Sequence, residues 1–384
     1  MKRILFDLSV CQPVGSSKYH GAGVYGCIVF RELVKRKDCE VIPYFDTTKF
    51  IDDSIYSIIE KEKLRLIDKG KIGLRKAVES SHVDCFYSPL FSPSYEVLYN
   101  QSVRGMVTVH GLRELEMNKD SNEYLYCASL KDFIKTFLKH TPYFKVLEKK
   151  YIARKESLFR ASNFQIVTIT NHSKFSIRYH YPEMDNRRIK VRCSPPSSIE
   201  NYDSVSPYSE NKYYLIISAG RWIKNSYRAI AAFEKLVEKG LLNDSKLIIV
   251  GLSKNTLAYK KIGNNPSLVF LDYVSRYELE SLYKGAYALL YLSLNEGLGD
   301  PPLEAMKFGT PVIASSFGAI SEVCGESVLY ANPYSEQEIG IRLLELEDAD
   351  IYKDYSEKAR IRHRQISQKQ QKDLGLLVDD IINL

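Results

Sequence analysis

Two glutamates flank a glycine- and proline-containing turn in the stretch SLNEGLGDPPLEAMKFGTPVIAS, which runs from Ser293 to Ser315. Glu296 stands just before the turn, and Glu304 follows after seven intervening residues. The preceding run YALLYLS reads as a buried strand, and a helix start follows, with Asp300 as N-cap and Pro301 at the first helical position. A helix start attracts anions because its first amides lack partners within the helix and the aligned peptide dipoles leave it partly positive. Gly297 and Gly299 carry no side chain, so the amides from Gly297 through Leu298 to Gly299 can approach a ligand closely and form a seat for phosphate. Glu296, at the strand end, can reach over that seat and suits a sugar hydroxyl. Glu304, one turn into the helix, can accept hydrogen bonds from ribose hydroxyls, since a carboxylate matches a vicinal diol. The two carboxylates would then bracket a diphosphate. A tight turn and a first-turn acid favoured by the dipole are the plainer alternatives.

Such a site needs a sheet to carry it, and short β-rich apolar runs recur along the chain. KRILFDLS, EVIPYF, VDCFYSP, GMVTVH and FQIVTIT alternate with helical patterns such as YGCIVFRELVKR and YFKVLEKKYIARKESLF. After a stretch rich in Ser, Pro and Asn, the alternation restarts with YYLIIS, KLIIVG, SLVFLDYV, YALLYLS and PVIAS. Strand–helix alternation predicts an α/β protein with parallel sheets covered by helices on both faces. A chain of 384 residues exceeds what one core usually organises. The expected division is a first Rossmann-like domain over 1–194, a linker over 195–212, a second domain over 213–351 and a helical segment over 352–384 that returns to the first domain. Two doubly wound domains place their ligand crevices at the carboxyl ends of the strands, and facing crevices would form one cleft.

Composition narrows the class. Hydrophobic residues make up 45% and charged residues 26%, which excludes a disordered chain. No run approaches the roughly 20 apolar residues of a transmembrane helix, and polar residues follow the opening MKRILFDLSV too soon for a signal peptide. The seven Cys form no C-x-x-C pair, which argues against a disulfide framework or zinc site and fits a cytoplasmic protein. Net charge is +7, and fifteen Lys or Arg face five Asp or Glu between Lys131 and Arg192. Such a region attracts phosphates on nucleic acid, on an anionic membrane or on a small ligand. Within it, SLKDFIKTFLKH sets Leu130, Phe133, Ile134, Phe137 and Leu138 on one helical face and Lys131, Lys135 and Lys139 on another. That helix either packs on its own domain or lies peripherally on an anionic membrane surface.

The motif E-G-L-G-D-P-P-L-E-A-M, followed by G-T-P-V-I-A-S, resembles the donor site of glycosyltransferase family 4, the retaining group 1 glycosyl transferases of the two-domain GT-B fold. The resemblance extends from about Tyr213 to Leu343 and more loosely through GAGVYG, the strand ending in His110, and VTITNHSKFSI. It implies a nucleoside-diphosphate sugar as donor substrate, bound on the second domain, and a saccharide or lipid-linked saccharide hydroxyl as acceptor. Arg221 and Lys224 in AGRWIKNSYRAI would hold the diphosphate, Glu296 the sugar, Glu304 the ribose, and the segment around Tyr273 and Val274 the base. His110 would contact the sugar, although the family often follows this His with Asp where this chain has Gly111. The loop at Gly21 and Gly23 would close over the donor phosphates or border the acceptor. The family's scheme needs no side-chain nucleophile and no cofactor. No D-x-D motif is placed for metal binding, and the Arg and Lys can do the work of a divalent ion.

Two other classes fit the same residues. Gly111 and a shortened Arg221–Lys224 loop would suit a non-catalytic sugar-nucleotide-binding protein, and the fold would equally carry an epimerase or a phosphorylase. Nucleic acid is not an expected partner, because no recognition module accompanies the basic region.

Overall fold

The computed structural model describes residues 1–13, 20–117, 119–142, 144–196, 205–262 and 265–384. It divides into two compact units, the first comprising Met1–Leu112, Glu148–Ser197 and Ser367–Leu384, the second Arg113–Leu147 and Ser198–Ile366. The segment Arg113–Leu147, which precedes residue 194, thus packs with the second unit. Of the expected linker, residues 197–204 lie outside the described ones. The rest of it from Val205 onward is held on the helix Arg276–Gly285, where the Val205 carbonyl accepts from Lys284 Nζ (2.6 Å) and the Tyr208 amide donates to the Ser281 carbonyl (3.1 Å).

In the first unit the strands β1 (Lys2–Asp7), β2 (Cys39–Phe45), β3 (Ile67–Asp68), β4 (Cys85–Ser88), β5 (Arg104–Val109), β6 (Phe164–Thr168) and β7 (Ile189–Val191) form one parallel sheet in the order β3-β2-β1-β4-β5-β6-β7. Their inward runs are buried on both faces, as a helix-covered parallel sheet requires: Ile4, Leu5, Phe6, Phe86, Met106, Val107, Ile166 and Val167 are fully buried.

The second unit repeats the plan. Strands β8 (Tyr213–Ile216), β9 (Lys246–Val250), β10 (Leu268–Leu271), β11 (Ala288–Tyr291), β12 (Val312–Ala314) and β13 (Leu329–Tyr330) form a parallel sheet in the order β10-β9-β8-β11-β12-β13. Tyr214, Leu247, Ile249, Ala288, Leu290 and Ile313 pack with Phe233, Ile230, Ile339 and Leu343 of the flanking helices into one core. The strand order reverses between β8 and β11. Loops leaving two neighbouring strands there diverge to opposite faces of the sheet and open a crevice at the carboxyl ends.

A single helix, Ala349–Ile382, ends the chain; its last part, from Ser367, belongs to the first unit, where Asp373 accepts from the Cys193 amide (2.8 Å) and Asp380 pairs with Lys190 (2.7 Å) and Arg192 (2.8 Å). None of the seven Cys is in a disulfide, and all are buried.

Candidate active site

The crevice of the second unit is built from the two loops that leave β8 and β11. After β8 the chain runs Ile217–Gly220 into a short 3-10 turn, Trp222–Lys224, and on into the helix Ser226–Glu238. After β11 it runs from Leu292 to Gly299 and enters the helix Asp300–Lys307. The loops are tied together where the Leu294 amide donates to the Ile223 carbonyl (2.8 Å).

That tie brings Lys224 and Glu296 into contact. Lys224 Nζ lies 2.6 Å from Glu296 Oε1 and 2.9 Å from the Tyr291 hydroxyl, and the Ser293 hydroxyl donates to the same Oε1 (2.6 Å). Both charged side chains are buried. Burial opposes ionisation of Glu296, but the Lys224 ammonium and the Ser293 hydroxyl outweigh it and hold the carboxyl below its ordinary range. Burial pushes the Lys224 ammonium down, against the pull of Glu296, and the positive charges of Arg221 and Arg113 push it the same way. Arg221 is exposed on the rim of the turn. Asn225 is the N-cap of the helix Ser226–Glu238, and Lys224 is buried rather than solvated. It sits in the left-handed region at φ 55° without a side-chain capping bond, and the Asn225 side-chain Nδ2 donates instead to the Pro333 carbonyl (2.5 Å).

The helix start differs from the expectation. Gly299, at φ +99°, is the N-cap, and Asp300 is the first helical residue rather than the cap, so Pro301 moves to the second position. A left-handed glycine lets the chain turn into the helix one residue sooner. Of the three residues expected to offer amides, Leu298 buries its side chain and Gly297 is half-buried. Asp300 carries a carboxyl pushed up to about 7, first by burial and then by the nearby carboxylates of Glu304 and Glu296. Gly318, at φ +62°, is pressed against the other side of the turn, where a Cβ would lie 2.7 Å from the Glu296 carbonyl oxygen and 2.8 Å from its nitrogen.

Glu304 lies on the same helix, and its Oε1 accepts from Arg276 Nη1 (2.8 Å). Arg276 also donates to Glu280 (2.7 Å), whose second oxygen takes Lys307 (2.9 Å). Tyr273 and Val274 line a largely apolar depression of about 430 Å³ at the carboxyl ends of β8, β9 and β10, together with Ile217, Ser218, Gly251 and, from the helix Arg276–Gly285, Leu279. Tyr273 is 88% exposed there, so its ring face is open.

Sequence reasoning missed the partners that arrive from the segment Arg113–Leu147. Arg113 Nη2 lies 3.9 Å from Glu296 Oε2, Asn295 donates to Glu116 (2.5 Å), and Arg228 makes a two-pronged ion pair with Asp120 (2.7 and 3.1 Å). No motif marks HGLRELE, so nothing in the sequence alone ties it to residues nearly two hundred positions later. Ser293, by contrast, opens the stretch that holds the two glutamates, and Tyr291 stands in the strand just before it. The helix Leu130–His140 of the same segment turns its polar side inward, with Thr136 buried and Lys139 and His140 both on Glu123 (2.9 and 3.1 Å). Its apolar side faces out: Leu130 is 75% exposed and Phe137 55%, with Phe133, Ile134 and Leu138 exposed beside them.

The remaining expected residues belong to the first unit. His110 follows β5, and its Nε2 donates to the Pro89 carbonyl (2.8 Å) while its ring stands edge-on to Tyr25 at 4.9 Å. Burial lowers its pKa, and the bond to Pro89 leaves Nδ1 as the acceptor. Gly21 and Gly23 are the first and third residues of the helix Gly21–Val34. Space around Gly21 is open, whereas the Gly23 amide donates to His20 Nδ1 (3.1 Å) and a Cβ there would meet the Cys11 carbonyl at 2.9 Å. Residues 14–19, which would form the rest of that loop, lie outside the described ones. Among the described residues no group of three or more His, Cys, Asp or Glu could hold a metal ion, and no helix is long and apolar enough to cross a membrane.

Residues 198–362, which carry the crevice of the second unit apart from the segment Arg113–Leu147, match the family Glycosyl transferases group 1. The chain is 32% identical over 178 residues to the O-antigen chain mannosyltransferase RfbU of Salmonella typhimurium, covering 45% of this chain and 48% of that protein. It is 27% identical over 169 residues to an uncharacterized glycosyltransferase of Methanocaldococcus jannaschii, covering 43% of this chain and 42% of the other. The aligned part thus spans about half the length of these relatives or less. Two solved structures are similar across nearly the whole chain. The glycosyltransferase WaaG, involved in lipopolysaccharide biosynthesis, has a TM-score of 0.66 at 15% identity and covers 98% of this chain and 99% of its own. Anabaena HepE in complex with UDP-glucose has a TM-score of 0.64 at 15% identity and covers 99% and 100%. At these identities the likeness establishes the fold, which is GT-B.

Proposed function

We propose that the protein is a retaining glycosyltransferase that moves a hexose, mannose being the first candidate, from a nucleoside-diphosphate sugar to a hydroxyl of a saccharide or lipid-linked saccharide in the assembly of a surface polysaccharide. The observation that carries the reading is the buried Lys224–Glu296 pair at the point where the strand order reverses, inside the region matching the group 1 family. The choice of mannose rests on relatives named as O-antigen mannosyltransferases.

In this scheme the base lies in the depression at Tyr273 and Val274, and Glu304 takes the ribose. The diphosphate sits on the amides of Gly297 to Gly299 under Arg221 and Lys224. Lys224 spends two of its three N–H groups on Glu296 and Tyr291, and the third is left for a phosphate oxygen. As the glycosidic bond lengthens, positive charge grows on the sugar beside the Glu296 carboxylate and negative charge on the departing diphosphate. Fixed cations aimed at that growing charge lower the barrier without reorganising at the moment of reaction, and one such group is typically worth ~10²–10³ in rate. The acceptor proton passes to the departing phosphate, so no side-chain nucleophile, metal or cofactor enters.

An anionic membrane is the proposed location. The exposed face Leu130–Phe133–Ile134–Phe137–Leu138, with Lys131 and Lys135 beside it, has the mixed apolar and cationic character of a helix lying in the headgroup region.

The test is a donor screen. GDP-mannose, UDP-glucose and ADP-glucose are each offered with and without a saccharide acceptor, and release of nucleoside diphosphate is followed together with the anomeric configuration of the product. Acceptor-dependent release with retention, undiminished by a chelator, supports the reading. Isomerised donor without acceptor, a requirement for free phosphate, or binding with no turnover would each replace it.

A further inference from the structure

We infer that Arg113 is a ligand of the donor's phosphates, a third cation beside Arg221 and Lys224 that no motif marks. The inference rests on the reading above that the second unit holds a nucleoside-diphosphate sugar.

Three observations converge on this side chain. First, the residues that follow it fix its position: Glu116 accepts from Asn295, the neighbour of Glu296, and Asp120 holds Arg228 on the helix that follows Lys224. Second, its guanidinium is only loosely engaged. Nη2 stands 3.9 Å from Glu296, beyond hydrogen-bond distance, and Nε is buried with no hydrogen-bond partner. A buried N–H without an acceptor is costly, and an anion arriving beside it removes the cost. Third, Arg113 forms one wall of a cavity of about 370 Å³ whose other walls include Gly220, Arg221, Trp222 and Lys135. The acids on that wall are engaged elsewhere, Glu123 with Lys139 and His140, Asp132 with the Ser129 hydroxyl (2.7 Å). Arg221 and Lys135 make no ion pair among the described residues.

Charge makes the ligand class specific. Lys224 and Arg113 act on Glu296, Arg221 acts on Lys224, and the Asp300 carboxyl beside Glu296 is pushed towards its neutral form, so positive charge exceeds negative charge here. The diphosphate of a sugar nucleotide carries two negative charges. The planar fork of Arg113 matches a phosphate's oxygens two at a time, which a lysine ammonium does not.

The experiment is calorimetric titration of the wild type, Arg113→Gln and Arg113→Lys with the nucleoside diphosphate that the wild type binds best among UDP, GDP and ADP, and with the matching monophosphate. Arg113→Gln should weaken the diphosphate by ~10-fold or more and shrink the diphosphate-over-monophosphate ratio, and Arg113→Lys should restore part of that ratio. A merely structural role would weaken both ligands alike. An unchanged ratio in a folded Arg113→Gln protein overturns the inference while leaving the donor reading intact. If the wild type binds none of the three diphosphates, the donor reading fails, and this inference fails with it.

Discussion

The Lys224 ammonium and the Glu296 carboxylate meet at 2.6 Å in the interior of the second unit although 72 residues separate them. The pair is held in register by Tyr291 on one side and Ser293 on the other. Removing one partner of a buried pair strands the other, typically at ~3–5 kcal/mol. Glu296→Gln is therefore expected to lower the unfolding midpoint in denaturant and, on the proposed placement of its carboxylate at the reacting sugar, to reduce kcat by ~10²–10³. Nucleoside-diphosphate affinity should hold or rise, because Lys224 is freed for the phosphate. A large loss of affinity with kcat preserved would reverse the assigned roles.

Glu304 shares Arg276 with Glu280, so Glu304→Ala leaves the guanidinium with a carboxylate partner and should cost little stability. Affinity for the nucleoside diphosphate should fall ~10-fold or more, the scale of hydrogen bonds to a charged acceptor. A 2′,3′-dideoxy analogue, which lacks the diol, is expected to bind wild type and variant equally. A preference of the wild type for the analogue over its variant would place the ribose elsewhere.

Asp300 links stability to pH. Its folded-state pKa of about 7 lies above the ordinary carboxyl value, so the native state favours the neutral acid. Its favourable contribution is full below about pH 4 and is lost as pH rises towards 7, at up to ~1.4 kcal/mol per unit. Asp300→Asn should abolish this slope. Urea unfolding of both proteins at pH 5 and pH 8 measures it, and equal differences at the two pH values would show that Asp300 ionises normally.

The outward apolar face of the helix Leu130–His140 predicts sedimentation with vesicles containing anionic lipid at low salt, weakened by salt and by Phe133→Glu combined with Phe137→Glu. Neutral vesicles should retain far less protein. Sedimentation that is absent, or untouched by the double substitution, removes the membrane from the proposal.

How far the sequence could be read follows from what each feature depends on. Runs such as LIIV in β9 and ALLY in β11 were legible because a parallel strand buried on both faces must be apolar throughout. The strands that escaped notice, β3, β7 and β13, are two or three residues long and stand at sheet edges, too short for any pattern. Glu296 and Lys224 were legible because each sits in a motif with turn and helix signals around it. Arg113 was not, since its neighbourhood is created by packing between distant segments. Periodicity showed that the helix from Leu130 has an apolar face but could not show which way it turns, because the direction is set by Glu123 and Thr136 on the inner side. Asp300 was misplaced by one residue because its cap role depended on the backbone angle of Gly299.

Gly318 contributes no functional group, yet its missing side chain is what lets two strands of backbone touch behind Glu296. The tolerance of this protein to redesign is therefore lopsided: the open wall at Tyr273 can be rewritten freely, whereas even a methyl group at Gly318 would shove the Glu296 carboxylate out of alignment with Lys224.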